Sequence, residues 1–340
     1  MKSRHSAAPA WVQGKALDQS VRTYKGMTLI DALLQASEQK NKGIFFIHDD
    51  GLQEKLTYAA LLEQACELGA ALQEKGIRQS EPVLLCLNNK KHFLTAFWAC
   101  QLLGAQPVPM AAVTAPPSEG DVQRLLEVWR LLDSPKIIGF DESQLTFVPE
   151  KSALLRFDAL KSAKPIDPAK QPKPQPDSTA LMLLTSGSTG IPKLVKQSHN
   201  AILFRSQATW QHDCFSIEDV SLNFLPLDHV GGLVMFHLRD VWSQCEQIQA
   251  SMDLFLENPA VWLDWIETLK VTVTWAPNFA FGLVNACAQT LGKGQRDLSR
   301  LRFILNGGEK IVAGTGPAFY VAVGAFWLEP PSHKTRLGHV

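Results

Sequence analysis

The sequence predicts an α/β fold in two subdomains, and three observations carry the prediction. Short apolar runs of strand length alternate with amphipathic stretches of ten or more residues, the pattern of βαβ units. The 340 residues, 46% of them apolar, are enough for two cores at roughly 100–200 residues per domain. Between Lys161 and Asp177 the chain reads KSAKPIDPAKQPKPQPD, with five prolines and no aromatic residue. Proline suits neither a helix interior nor a central strand, so this segment is read as an exposed connection. The expected organisation is a leader over 1–26, an αβ subdomain over 27–160, the connection over 161–178, a second αβ subdomain over 179–312 and a divergent tail over 313–340.

The elements follow in order. Thr28 and Asp31 form a capping pair for a helix that turns Ile30, Leu33 and Leu34 inward. Ile44–Ile47 is a strand. A longer helix follows Thr57, with Leu61, Leu62, Ala65, Leu68 and Leu72 near one face and Gly76 as its stop. Val83–Leu87 is a buried strand, Phe93–Leu103 a helix ending at Gly104, and Val108 opens another extended segment. Val122–Leu132 and Lys136–Phe140 form a weaker helix–strand unit. After the connection come a strand over Ala180–Leu184, a helix near His199–Thr209 and a strand over Leu222–Leu225. Asn258 and Pro259 start a helix with Val261, Trp262, Trp265, Ile266 and Leu269 inward. Val271–Trp275, a helix over Phe279–Thr290 and the strand Leu301–Leu305 complete the series.

Composition narrows the function. Lys and Arg number 33 against 33 Asp and Glu, which argues against a broad nucleic-acid-binding face. The six cysteines, at 66, 86, 100, 214, 245 and 287, include no CxxC pair. They read as thiols of a reducing compartment and not as a zinc site or disulfide framework. The first 20 residues carry basic groups without an apolar core, a poor signal peptide. Ile311–Leu328 is an uncharged run of 18 residues, but Gly314, Gly316, Pro317 and Gly324 interrupt it, so no membrane span is expected. The expected location is cytoplasmic.

The chemistry concentrates in LLTSGSTGIPKLVKQSHN, Leu183–Asn200. Thr185, Ser186, Gly187, Ser188, Thr189 and Gly190 follow an apolar strand directly. Gly187 and Gly190 let several N–H groups converge on an anion, the hydroxyls add donors, and Lys193 adds a positive charge. Such a loop is either a polar surface turn or a phosphate cradle. Donor density and the position at a strand's C-terminal end, where open sheets place ligands, favour the cradle. GxxxxGK[ST] is not matched, which counts against a Walker-type kinase. No GxGxxG opens a strand–helix unit, which counts against a dinucleotide-dependent oxidoreductase.

TSGSTGIPK resembles the phosphate loop of the adenylate-forming superfamily: acyl- and aryl-CoA synthetases, fatty-acyl-AMP ligases and adenylation or loading domains of nonribosomal peptide and polyketide synthetases. The resemblance implies the large N-terminal domain of such an enzyme, two αβ subdomains with mixed and parallel sheets, incomplete here. It implies that Thr185–Gly190 and Lys193 embrace the phosphates of ATP, with Mg²⁺, while a carboxylate attacks the α-phosphorus. Lys193 and His229 are the expected catalytic residues. FLPLDHVGG, Phe224–Gly232, is similar to the segment whose histidine lines the acyl pocket, here His229; as bare chemistry that histidine reads equally as a satisfied loop residue. TWAPNFAFGLV, Thr274–Val284, resembles the wall of the acid pocket and nominates Trp275, Asn278 and Phe279 as substrate-binding. Without the resemblance, Trp275, Phe279 and Phe281 read as core. NGGEK resembles the adenine-side loop and nominates Asn306, Gly307, Gly308 and Glu309. No residue is assigned as a metal ligand.

The expected reaction is carboxylate plus ATP giving acyl-adenylate and pyrophosphate, with coenzyme A or a carrier-protein pantetheine as acceptor. A non-amino acid is favoured because the pocket helix opens on Asn278 and Phe279, although Asp228 keeps an amino-acid-adenylating alternative open. The resemblance covers roughly residues 27 to 312. The aromatic–Gly–x–Ser/Thr–Glu segment, the ribose-binding Asp, the hinge and the small C-terminal domain with its lysine have no counterpart. The tail is therefore expected to be frameshifted or wrongly ended, and the chain to be catalytically incomplete. The remaining alternative is a nucleotide-binding remnant or assembly module without chemistry.

Overall fold

The computed structural model describes residues 25–113, 118–139, 150–162, 164–185, 193–287, 296–323 and, for the backbone alone, 336–339. The first helix, α1 (Leu29–Ser37), begins where the Thr28 backbone N–H and hydroxyl both donate to Asp31 Oδ2 at 2.8 Å. Strands β1 (Gly43–Ile47) and β2 (Gln53–Thr57) form an antiparallel pair, and Thr57 caps α2 (Tyr58–Glu74) by accepting from the Ala60 N–H. Gly76 ends that helix at φ +89°, a backbone state that costs glycine little. Then come β3 (Pro82–Cys86), α3 (Lys90–Leu102), β4 (Gln106–Pro109), α4 (Glu119–Leu131), β5 (Lys136–Gly139) and β6 (Leu154–Arg156). The four strands from β3 to β6 make a parallel sheet in the order β4-β3-β5-β6.

Past the Pro-rich segment, β7 (Thr179–Thr185) and β8 (Lys193–Ser198) form an antiparallel hairpin. Met182, Leu184 and Leu194 pack it into the core under the four-stranded sheet. The chain continues through α5 (His199–His212), β9 (Val220–Asn223), a π-helical segment (Gly231–Leu238), α6 (Arg239–Ser243) and β10 (Glu246–Ala250). It proceeds through α7 (Met252–Glu257), α8 (Val261–Thr268), β11 (Val273–Ala276), α9 (Asn278–Ala286), β12 (Phe303–Asn306), α10 (Thr315–Ala322) and β13 (Arg336–His339). The seven-stranded sheet runs β13-β12-β11-β9-β10-β1-β2, parallel except for β2. It therefore takes β1 and β2 from before the connection and its other strands from after it. The α/β architecture with mixed and parallel sheets is the one the sequence predicts.

The core behind this sheet is aromatic. Trp262 is fully buried and meets Phe224, Phe255 and Phe281 edge-on at 5.4, 6.1 and 5.3 Å between ring centroids. Edge-to-face pairs of this kind add about 0.5–1.5 kcal/mol beyond their burial. A second core is threaded by a buried polar chain. The Trp98 indole N–H donates to His237 Nε2 at 2.8 Å. Indole is a donor only, so the His237 proton sits on Nδ1 and is given to Gln247 Oε1 at 2.8 Å. Gln247 Nε2 donates to the Tyr58 hydroxyl, which donates to the Cys245 carbonyl, each at 2.7 Å. Gln249 Nε2 joins at Gln247 Oε1, and Asn223 Nδ2 at Gln249 Oε1. This network ties α2 and α3 to the π-helical segment, β9 and β10. Its closure matters because an unpaired polar group here is costly. Burial pulls the His237 imidazole down to about 4 even though Gln247 favours the charged form.

Candidate active site

Open parallel sheets place ligands beyond the carboxyl ends of their strands. A cavity of about 640 Å³ lies there, over β9, β11 and β12. Its mouth is built from the loop Leu225–Gly232, from Pro277 and Phe279 at the start of α9, and from Gly308 after β12. Arg205 and Thr209 of α5 and Arg239 of α6 close it from the side. The wall is mainly apolar, which suits the body of a small organic acid.

Close backbone approach shapes the mouth. A Cβ on Gly232 would stand 2.1 Å from the Pro226 carbonyl oxygen, so only glycine lets the loop fold back onto the π-helical segment. The Trp275 indole lies between two more glycines: a Cβ on Gly231 would meet it at 2.8 Å, and one on Gly308 at 3.2 Å. Phe236 stacks on it at 5.7 Å. Trp275 is thereby a fixed planar wall. Lys90, at the first turn of α3, secures the rear by donating to the carbonyls of Leu225 and Ala250 at 3.0 and 2.8 Å. Burial lowers that ammonium to about 7, although Asp49 opposes the shift.

Of the residues nominated from sequence, His229, Trp275, Phe279 and Gly308 meet in this cavity. His229 is exposed at its mouth. Asn278 and Asn306 are not among the lining residues: Asn278 Oδ1 accepts from Asn306 Nδ2 at 3.1 Å and from the Val312 N–H at 3.3 Å. Glu309 Oε1 accepts from the Phe279 N–H at 2.6 Å and so satisfies an otherwise orphan donor at the α9 N-terminus. Gly307 is buried and its N–H donates to the Ala276 carbonyl. This cluster staples the β12 loop to α9 and sets the angle at which Phe279 enters the cavity.

Thr185 and Lys193 are register partners that close the β7–β8 stem, and the Thr185 hydroxyl reaches the Lys193 carbonyl at 3.5 Å. Lys193 lines a separate open groove with Lys136 and Lys196. Ser186, Gly187, Ser188, Thr189 and Gly190 lie outside the described residues. Lys193 is exposed at the end of this stem.

Asp228, weighed above for an amino-acid substrate, lines the cavity, and several further lining groups were not nominated from sequence: Arg205, Thr209, Asp213, Met235, Arg239 and Met252. Arg239 is buried and donates from Nε and Nη2 to Asp240 Oδ1 at 2.8 and 2.6 Å and from Nη2 to Ser221 Oγ at 2.8 Å. Its guanidinium also lies over the Phe215 and Phe236 rings at 4.5 and 5.1 Å. Burial raises the Asp228 carboxyl above the usual carboxylate range. Nothing in the run FRSQATW around Arg205 marks it as a site residue; only the packing of α5 against the π-helical segment and α6 brings it to the cavity. Among the described residues no group of three or more His, Cys, Asp or Glu could hold a metal ion, and no helix is long and apolar enough to cross a membrane.

Atromentin synthetase of Tapinella panuoides is 30% identical over 320 residues, 89% of this chain and 33% of that protein. Aspulvinone E synthetase melA of Aspergillus terreus is 29% identical over 300 residues, 83% and 32% of the two chains. The chain thus spans about a third of the length of these curated relatives. Among solved structures, the A-PCP of McyG complexed with phenylalanyl-adenylate aligns with a TM-score of 0.85 at 32% identity, over 89% of this chain and 49% of that one. The adenylation domain of a keto acid-selecting nonribosomal peptide synthetase module, bound to a keto acyl adenylate, aligns with a TM-score of 0.81 at 32% identity, over 92% and 59%. The AMP-binding enzyme family matches residues 34–328, past the point near 312 at which the motif resemblance was expected to end. With a match of that extent and a fold shared with adenylate-bound relatives, the chain belongs to the AMP-binding, adenylate-forming enzyme family.

Proposed function

We propose that this chain binds ATP and a carboxylic acid for conversion to an acyl-adenylate. A carboxylate oxygen attacks the α-phosphorus, the bond from that phosphorus to the bridging oxygen breaks, and pyrophosphate leaves. The observation that carries the proposal is the cavity at the strand ends, where His229, Trp275 and Phe279 converge. Thr185–Gly190 and Lys193 are assigned to the phosphates, and Gly307 and Gly308 to the adenine side. Mg²⁺ is assigned to enter with ATP as its counter-ion. Transfer of the acyl group to a carrier-protein thiol is favoured over coenzyme A, because the McyG neighbour carries such a partner domain in its A-PCP structure.

A non-amino acid is favoured over an amino acid. Asn278 is engaged with Asn306 and Val312 instead of facing the cavity, so the start of α9 offers no side-chain partner for an ammonium group. ATP–pyrophosphate exchange across aryl, fatty, keto and amino acids tests the reading. Exchange that depends on an added non-amino acid supports it. Binding of ATP without exchange selects a nucleotide-binding module, and exchange with amino acids alone selects the amino-acid reading.

A further inference from the structure

Lys90 acts on the cavity without being one of its lining residues. It opens α3, and its Nζ donates to the carbonyl of Leu225 at 3.0 Å and to that of Ala250 at 2.8 Å. Leu225 and the next residue, Pro226, line the cavity, and so does Met252, two residues beyond Ala250. One side chain thus ties the loop after β9, which carries Asp228 and His229, to the end of β10, which leads into α7.

A shift at Leu225 is not absorbed locally. The Asn223 side chain brackets the Leu225 backbone, Oδ1 accepting from its N–H at 2.9 Å and Nδ2 donating to its carbonyl at 3.3 Å. Pro226 is pressed onto Gly232, where a Cβ would stand 2.1 Å from the Pro226 carbonyl oxygen. The turn therefore moves as a unit, and Lys90 fixes that unit to α3.

The strength of the grip depends on charge, because an ionised donor makes hydrogen bonds roughly twice as strong as a neutral one. Holding a charge there is costly. The first turn of α3 is the positive end of a 13-residue helix. Burial brings the ammonium down to about 7, although Asp49 opposes the shift. The titratable and charged groups around Lys90 come from every neighbouring element. His48, Asp49 and Asp50 follow β1, Glu54 belongs to β2, Lys91 and His92 to α3, Asp253 to α7 and Asp228 to the loop after β9. Glu54 is paired with Lys91 and lies 3.5 Å from His48. Burial pulls the His92 imidazole down and the Asp228 carboxyl up.

We propose that Lys90 is a positioning residue for the acid: its ammonium holds the Leu225 and Ala250 carbonyls at the separation that shapes the cavity, so that the acyl group is bound well only while this lysine is charged. The proposal rests on the acid-cavity reading above. Acyl binding should then weaken as pH rises through about 7, where the ammonium gives up its proton.

The experiment measures binding of 3-phenylpropanoyl-sulfamoyladenosine, and of AMP as the control without an acyl group, to the 340-residue protein by calorimetry. Between about pH 6 and about pH 8.5 the acyl compound should lose about fivefold or more in affinity relative to AMP, the difference between a charged and a neutral donor. Lys90→Met should show that loss already at the lower pH, with AMP binding unchanged. The variant keeps His48 and His229, so any pH dependence left in it belongs to other groups. Lys90→Arg stays charged throughout and should retain the acyl compound at the higher pH. Thermal midpoints establish that the variants fold. The same relative affinity and pH dependence in the wild-type protein and Lys90→Met overturns the proposal, as does a relative affinity that rises with pH. Should Lys90→Met not fold, the wild-type profile decides: no loss relative to AMP at the higher pH overturns the proposal. Binding no tighter than that of AMP at the lower pH is a separate failure, which refutes the acid cavity itself and the proposal with it.

Discussion

Replacing Tyr58 by Phe removes a single oxygen from a position with no solvent exposure. That oxygen accepts from Gln247 Nε2 and donates to the Cys245 carbonyl, both at 2.7 Å. The ring and its packing are retained, so the change leaves two buried groups short of a partner without opening a large cavity. Stranding buried polar groups costs about 1–3 kcal/mol each, with partial relaxation expected, so the net loss should be about 2–4 kcal/mol. Urea unfolding followed by tryptophan fluorescence reads this as a lower midpoint at unchanged slope. In a Gln247→Ala background the same substitution should cost less by about 1 kcal/mol, because the two side chains are coupled. A loss below about 0.5 kcal/mol, or strict additivity with Gln247→Ala, would refute the claim that the network holds α2 against β10.

Other consequences concern acid, glycine and the α9 staple. His237 and His199 are each lowered by burial to about 4 from 6.5, so between those values the unfolded chain holds more protons. Stability is full above about pH 6.5 and falls on acidification toward pH 4, by up to about 1.4 kcal/mol per pH unit for each histidine; a midpoint that is flat from pH 7 to 4.5 contradicts this. Gly232→Ala drives a Cβ against the Pro226 carbonyl and must displace the loop bearing His229. It should cost about 1–3 kcal/mol and weaken acid binding, and an unchanged thermal midpoint and affinity would count against the close approach. Glu309→Ala removes the acceptor of the Phe279 N–H and should cost about 1 kcal/mol of stability, as for a lost helix cap, whereas a neutral effect would disconnect Glu309 from α9.

What could be read from the sequence, and what could not, follows from where polar groups go. Strands β1, β3, β5 and β7 carry runs of apolar residues and were located to within one or two positions. Strand β10, EQIQA, was missed because Gln247 and Gln249 read as solvent-facing, yet both are buried and paired with residues of other elements. Strands β2 and β8 are polar sheet or hairpin edges, so neither shows an apolar face. The pairing of β1 with β10 across the Pro-rich segment is a long-range choice that no local pattern encodes. That Trp275, His229 and Phe279 share one cavity was legible only through their motifs. Asn278, named beside them, is turned to Asn306 by the same loop geometry, and Arg205 carries no sequence mark at all.

In the proposed function one cavity takes the acid while Thr185–Gly190 and Lys193 take the nucleotide. Binding of 3-phenylpropanoyl-sulfamoyladenosine, a stable mimic of an acyl-adenylate, tests both halves together. It should bind with 1:1 stoichiometry and at least a hundredfold more tightly than AMP or 3-phenylpropanoic acid alone, since joined ligands share one cost of immobilisation. Trp275→Ala should bring its affinity down toward that of AMP. An affinity no better than that of AMP, unchanged by Trp275→Ala, would contradict the claim.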